Sequence, residues 1–338
     1  MILAGGMSTR LYPLTREVPK PLVPIAGEPM TAHVLRWLKS FGYDEIAINV
    51  HYLADSIRAT FGDGSDFGVR LTYLLEPQLM GSAGSVKSLE HFFDEPFVVV
   101  GCDDLTDANL ESLVAFHHKR NALATIGLVE AQEVDQYGVV ITAGDGRIID
   151  FQEKPAKGTE RSKLVNTGIY VFDPEIFAHI PENQFHDFGK QVFPALREAD
   201  ADFYGFRLTG AYWCDIGTPT EYIRATRDVL AGRVHLRGTR TRGVAADALL
   251  GDDVRIEGDV RIGAGARLGA RARIVGPSVV GDGVIIGDDA VLERAILWDG
   301  ARVGARARLR DAIVGVAYDV PADTSLNDAI VANEPVTS

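Results

Sequence analysis

Long apolar runs are missing from this chain. No segment approaches the roughly 20 residues that a membrane-spanning helix needs, and Met1 leads into a strand-like stretch instead of a secretory leader. Cysteine is nearly absent: Cys102 and Cys214 are too few for a disulfide framework. A reducing cytoplasm fits these absences and is the expected location. Basic charge is in deficit, with 34 Lys and Arg against 47 Asp and Glu and a formal net charge of −13. That balance argues against non-specific nucleic-acid binding, and a polyanionic ligand would have to be met by local cations and a metal. The eight histidines form no ligand spacing, and His117 and His118 are adjacent and diverge. The Walker-type Gly-x-x-x-x-Gly-Lys-Ser/Thr loop is absent. So is a Gly-x-Gly-x-x-Gly turn with its acidic ribose contact, which excludes the ordinary dinucleotide fold.

What is present starts at the N-terminus, with Ile2-Leu3-Ala4-Gly5-Gly6-Met7-Ser8-Thr9-Arg10-Leu11-Tyr12-Pro13-Leu14-Thr15 and then Pro19-Lys20-Pro21. A short strand ending in paired glycines lets backbone N–H groups approach an anion closely, because no Cβ intervenes. Arg10 and Lys20 add positive charge where a polyphosphate would lie. A bare Gly-Gly is an ordinary turn; the arginine and lysine at this spacing carry the phosphate signal.

With 338 residues, 46% apolar and 24% charged, the chain is long enough for two ordinary globular domains. Residues 1–232 alternate strand and helix patterns. Ile46–Val50 and Phe97–Val100 read as buried parallel strands, and 31–41 and 108–120 as helices. Asp145-Gly146 reads as a hairpin turn. The expectation is an α/β fold with a Rossmann-like, mixed but mostly parallel sheet. After Gly232 the pattern changes. Ile256, Ile262, Leu268, Ile274, Val280, Ile286 and Leu292 recur every six residues, with Gly263, Gly269, Gly281 and Gly287 one place behind four of them. This is the hexapeptide pattern of a left-handed parallel β-helix, assigned to 233–338. About four coils fit between 254 and about 320, and the phase slips after Trp298, where a bulge or loop is expected. Arg255, Arg261, Arg267 and Arg273 share the period, but only the first and last would stack on one face; a solvated arginine surface is the default. Hexapeptide helices often carry acyltransferase sites built on a histidine, and no histidine follows His235. A structural, allosteric or oligomerising role is therefore expected.

The N-terminal string resembles the Leu-Ala-Gly-Gly-x-Gly-Thr-Arg-Leu-x-Pro-Leu-Thr signature of the sugar-1-phosphate nucleotidyltransferases, with Ser8 where that pattern has glycine. Four further segments resemble the same family in order. They are Glu76-Pro77-Gln78-Leu79-Met80-Gly81-Ser82-Ala83-Gly84-Ser85; Gly101-Cys102-Asp103-Asp104-Leu105-Thr106; Tyr137-Gly138 with Glu153-Lys154-Pro155 and Asn166-Thr167-Gly168; and Trp213-Cys214-Asp215-Ile216-Gly217-Thr218-Pro219.

The resemblance implies an NTP and a sugar 1-phosphate as substrates, and an NDP-sugar and pyrophosphate as products. Leu3, Ala4, Gly5, Gly6, Met7, Ser8, Thr9, Arg10, Glu76, Gly81 and Ser82 would then bind the nucleotide. Gly138, Glu153, Lys154, Asn166, Thr167 and Gly168 would bind the sugar phosphate. Asp103, chosen over Asp104, and Asp215 would hold Mg²⁺, a cation that suits few carboxylates and many waters. Arg10, Lys20, Asp103 and Asp215 would form the catalytic set. If both short segments are extended, Cys102 and Cys214 point away from the metal and pack as small apolar groups. GTP with mannose 1-phosphate, or a related sugar or cyclitol 1-phosphate, is the favoured pair; glucose-1-phosphate uridylyl-, thymidylyl- and adenylyltransferases share much of the pattern. A catalytically silent NDP-sugar-binding regulator is the rival of another class, although such proteins tend to lose residues this chain keeps. A homodimer or larger assembly is expected.

Overall fold

The computed structural model describes residues 1–333, so the last five residues of the expected β-helix domain lie outside it. The strands are β1 (Ile2–Leu3), β2 (Pro24–Ile25), β3 (Glu28–Pro29), β4 (Glu45–Val50), β5 (Arg70–Leu75), β6 (Phe97–Gly101), β7 (Asp104–Thr106), β8 (Ala124–Glu130), β9 (Gly138–Thr142), β10 (Ile148–Glu153), β11 (Leu164–Phe172), β12 (Phe203–Arg207) and β13 (Trp213–Asp215), followed by the short strands of the β-helix. The helices are α1 (Met30–Lys39), α2 (Ala54–Phe61), α3 (Gly81–Lys87), α4 (Leu110–Arg120), α5 (Phe193–Glu198) and α6 (Pro219–Leu230). Two compact units emerge, one from Met1–Gly6 with Trp37–Asp215 and one from Met7–Arg36 with Ile216 onward. They interleave along the chain.

The first unit is built on a nine-stranded sheet whose main path runs β10-β9-β11-β6-β1-β4-β5, with β8 on β11 and β12 on β8. β1, β4, β5 and β6 are mutually parallel, whereas β11 runs against β6 and β8. β6 reads Phe-Val-Val-Val because both faces of the sheet are covered and every position is buried up to Gly101. The core beneath is aromatic. Phe172 and Phe188 stack at 4.7 Å, Phe193 and Phe203 at 5.1 Å, and Phe97 and Phe177 at 5.5 Å. The expected hairpin is present: β9 pairs antiparallel with β10, and Gly146 takes φ +94° at the turn.

In the second unit, three parallel sheets of six, five and five strands stack into the left-handed β-helix. Its strands run from Gly243 to Val331, so the coils begin before 254 and continue past 320. Ile256, Ile262, Leu268, Ile274, Val280, Ile286 and Leu292 point inward together with Ala266, Ala272 and Ala290. The hexad glycines are required by stacking, not by corner geometry, because none of the four has positive φ. A Cβ on Gly263 would lie 2.6 Å from the Gly281 carbonyl carbon of the next coil.

The phase slip falls earlier than expected, at the Arg294 corner, and no bulge forms. Coil-to-coil register is 18 residues for Arg261↔Val279 and 17 for Val279↔Ile296 and Ile296↔Ile313. One corner loses a residue and keeps that shorter form in the following coils. Arg255 and Arg273 do stack on one face, with Arg261 and Arg267 on the other two.

That face of Arg261 differs from the others. Its outward residues are Arg261, Val279, Ile296 and Ile313, and the three apolar ones are at most 5% exposed. On the other two faces the outward positions carry Arg267, Ile285, Arg302 and Asp319, or Arg255, Arg273, Val291, Arg308 and Ser325, all exposed except the half-buried Val291. Val279 and Ile296 line a void of only about 10 Å³ together with Pro24, Gly27, Tyr222 and Trp298. Arg227 of α6 also donates to Asp311 at 2.9 Å. The β2–β3 hairpin and α6 are thereby packed onto the helix.

Candidate active site

In the first unit, the carboxyl ends of β1, β4 and β6 lie side by side, because Ile2 registers with Ile48 and Val100, and Leu3 with Gly101. Open α/β sheets place ligands at this edge. Ala4 N–H donates to Asn49 Oδ1 at 2.8 Å, and Asn49 Nδ2 donates to Ser85 Oγ at 3.2 Å. Ser85 in turn donates to Gly81 O at 2.8 Å, so the end of β1 is tied to the start of α3. Gly5 sits in a cradle that no other residue fits: a Cβ there would lie 2.7 Å from Asn49 Nδ2 and 3.3 Å from Glu76 Oε2. Glu76 is only 3% exposed, and neither of its carboxylate oxygens has a hydrogen-bond partner. A buried, unmatched carboxylate is costly unless a ligand supplies the donors.

Gly81 has φ +74°, and its N-terminal neighbourhood is closed by protein. The N–H groups of Ala83 and Gly84 both donate to His186 O at 3.0 Å. Ser82 Oγ donates to Asp187 Oδ2 at 3.0 Å and accepts from Phe188 N–H at 2.9 Å. Ser82 therefore anchors the segment after Gln184.

A two-stranded ribbon brings Asp215 close in register to the segment that carries Asp103. β13 pairs antiparallel with β7, and Asp215 stands opposite Asp104, one residue from Asp103. Asp104 is buried and engaged. Its Oδ2 accepts from Gly101 N–H at 3.0 Å and its Oδ1 from Trp213 Nε1–H at 3.1 Å. Asp103 is the more open of the two adjacent carboxylates. Among the described residues no group of three or more His, Cys, Asp and Glu could hold a metal. Two hard oxygen donors remain, and they fit Mg²⁺, which keeps waters and takes phosphate oxygens. Cys102 and Cys214 are buried and form no disulfide, with Cys214 facing Leu105 in the ribbon.

Gly138 and Glu153 are paired across the β9–β10 hairpin. Partial desolvation where Glu153 lies against Gly138 and Gly189 holds its carboxyl above the ordinary value; Lys154 and Lys190 oppose this and Asp187 adds to it. Lys154 follows in a left-handed conformation (φ +46°), its N–H on Tyr137 O at 3.1 Å. Asn166, Thr167 and Gly168 form a bulge in β11. Asn166 Oδ1 accepts from Gly168 N–H at 2.9 Å, and Thr167 Oγ1 donates to Gly127 O at 2.7 Å. Trp213 Nε1 also donates to Thr167 O at 2.9 Å. The indole thus joins the β7–β13 ribbon to the bulge in β11.

In the second unit, residues 7–15 coil tightly. Ser8 adopts φ +54°, ψ +39°, and its carbonyl accepts from Leu11 N–H at 3.1 Å and Thr15 Oγ1 at 2.8 Å. Met7, Thr9 and Arg10 are exposed, and Lys20 is half-buried on a single 3₁₀ turn. Asn49 and Asp187 lie outside every motif in the sequence, and Asp104 and Trp213 lie inside motifs without a role of their own there. For Asn49 the signal is a polar residue near the end of the otherwise apolar Ile46–Val50 run.

Residues 1–232 match the nucleotidyl transferase family, and 259–294 match the bacterial transferase hexapeptide repeat. A UTP–glucose-1-phosphate uridylyltransferase of Synechocystis sp. is 37% identical over 88% of this chain and 82% of its own length. A mannose-1-phosphate guanylyltransferase of Mycobacterium tuberculosis is 32% identical over 88% and 79%. A Bacillus anthracis structure solved with sucrose and assigned as a glucose-1-phosphate thymidylyltransferase superposes with a TM-score of 0.62 at 25% identity, covering 70% of this chain and 96% of that one. The chain belongs to the sugar-1-phosphate nucleotidyltransferases of the nucleotidyl transferase family. Among the described residues no helix is long and apolar enough to cross a membrane.

Proposed function

We propose that the chain transfers a guanylyl group from GTP to mannose 1-phosphate or a related sugar or cyclitol 1-phosphate. The observation that carries the base choice is Glu76, whose two buried carboxylate oxygens lack donors beside Gly5. Guanine offers two adjacent donors, N1–H and the 2-amino group, which match a carboxylate. Uracil and thymine offer one N–H between two carbonyl oxygens, which a carboxylate repels. The name of the 37% identical relative favours UTP with glucose 1-phosphate as the second candidate.

In the reaction, a sugar-phosphate oxygen attacks the α-phosphorus in line; the new P–O bond forms as the bond to the departing pyrophosphate breaks. Arg10 holds the triphosphate and takes up charge on the leaving pyrophosphate. Lys20 neutralises oxygens near the reacting phosphorus, and Lys154 holds the sugar phosphate. Asp103 and Asp215 would hold Mg²⁺, which when bound offsets phosphate charge. These roles are positional and electrostatic. A homodimer or larger assembly belongs to the same proposal, and light scattering on the intact chain tests it. A pyrophosphate-release screen of GTP, UTP, dTTP and ATP against a panel of sugar 1-phosphates tests the substrate pair. GTP is expected to give the highest kcat/KM, and UTP ranking first would replace guanine by uracil.

A further inference from the structure

Lys20 stands at the head of a short stretch that the β-helix grips. Leu22 N–H donates to Pro19 O at 2.8 Å and Val23 N–H to Lys20 O at 3.1 Å, and the chain then enters the β2–β3 hairpin. The hairpin turns on Ala26 and Gly27 at φ +50° and +76°, a two-residue turn of the type I′ kind. Three side chains hold it at consecutive points. Tyr222 Oη donates to Pro24 O at 2.9 Å. His33 Nε2 lies 2.9 Å from Ile25 O; since a carbonyl only accepts, that nitrogen carries the proton. The Arg261 guanidinium fills the space a Cβ on Gly27 would need.

Tyr222 is in turn fixed by the β-helix. Trp298 Nε1 donates to Tyr222 Oη at 2.8 Å, with the rings edge-to-face at 6.2 Å. An indole N–H only donates, so the phenol must direct its own proton at Pro24. Both rings are at most 2% exposed, and burial holds the phenol well above its ordinary pKa, so the donor is not lost near neutral pH. Arg261 is pinned on the same face: its side chain is 15% exposed, Nη2 lies 3.4 Å from Asp282 Oδ1, and Nη1 is buried without a partner. Such a guanidinium is placed by packing against the hairpin, not by solvation.

We propose that Trp298 and Arg261 are positioning residues for the transfer reaction. Through the relay Trp298→Tyr222→Pro24, and through the Arg261–Gly27 contact, the β-helix sets where Lys20 stands. The proposal rests on the assignment of Lys20 to the substrate phosphates. Small displacements of such a group are expensive in rate, because its contribution depends on placement.

The test uses the intact chain with the substrate pair that the screen identifies. Trp298→Phe keeps the ring packing and removes the N–H donor. It is expected to lower kcat roughly 10-fold, leaving KM for the sugar 1-phosphate within about twofold. Arg261→Met should act in the same direction and keeps the proposal testable if the tryptophan variant does not fold. Arg273→Met, on another face, should leave kcat unchanged. In a Lys20→Ala background, Trp298→Phe should add no further loss, since it acts through the lysine; an effect on fold stability alone would add in full. Wild-type kcat in both Trp298→Phe and Arg261→Met, or full additivity with Lys20→Ala, overturns the proposal. Wild-type turnover in Lys20→Ala alone overturns the Lys20 assignment itself and distinguishes that failure from failure of the relay.

Discussion

Ser8 occupies the position where the family signature has glycine, and the backbone gives the reason for that glycine. At φ +54°, ψ +39° an L-residue pays a steric cost of about 1 kcal/mol, and glycine does not. Ser8→Gly is therefore expected to raise stability by about 1 kcal/mol, read as a higher urea midpoint at unchanged slope; a lower midpoint would mean that the hydroxyl has a structural role. Glu76 carries the second prediction at this scale. Glu76→Gln presents one donor and one acceptor in place of two acceptors, which suits uracil better than guanine. The ratio of kcat/KM for GTP to that for UTP should fall roughly 10- to 100-fold, the value of one well-formed bidentate base contact. An unchanged ratio would remove Glu76 from base recognition. The string around Ser8 was legible because motif spacing is a property of consecutive residues. The isolation of Glu76 was not, because it depends on Gly5, which the fold brings beside it from more than sixty residues away.

At the level of elements, β4, β6, α1, α4 and the β9–β10 hairpin follow the sequence pattern closely, since each has a single periodicity and a clear turn signal. The clamp of Asp104 by Gly101 and Trp213 has no such signal, because β7 and β13 are three residues each and pair across more than a hundred positions. His117 shows what an amphipathic helix can hide. It lies on α4, 2% exposed, with Nδ1 2.9 Å from Thr125 Oγ1 of β8. Burial, helped by the neighbouring His118 and opposed by Asp173, lowers its pKa from 6.5 to about 4. Between those values the unfolded chain binds the proton and the folded chain does not, so unfolding is favoured by acid. This contribution is complete above about pH 6.5 and is lost as pH falls toward 4, a decline of at most ~3 kcal/mol. His117→Gln should flatten that part of the stability profile. Urea midpoints at pH 7 and pH 5 check it, and an equal drop in variant and parent would acquit His117.

At the scale of the whole molecule, the hexad repeat announced a β-helix but not what it is for. The inward positions repeat so regularly that the outward ones look like ordinary variation. They become informative only when sorted by face, and the shortened corner at Arg294 prevents that sorting by simple counting. With the register known, Val279, Ile296 and Ile313 form a buried apolar stripe while the corresponding positions elsewhere are mostly charged and exposed. The stripe makes the β-helix part of the fold around the Lys20 hairpin, so removing everything after 232 would uncover Tyr222 and β2 along with it. Two substitutions of the same residue type separate these faces. Ile296→Arg puts a charge where the outward side chain is 5% exposed, and should destabilise the intact chain by about 3 kcal/mol or more. Ile285→Asp acts on a face where the outward side chain is 39% exposed and aligned with Arg267 and Arg302. There the cost should stay within about 0.5 kcal/mol. Equal urea midpoints for the two variants would show that the apolar stripe is an accident of composition; a large gap would show that the coil register, invisible in the hexad count, decides which side of the β-helix supports the rest of its unit.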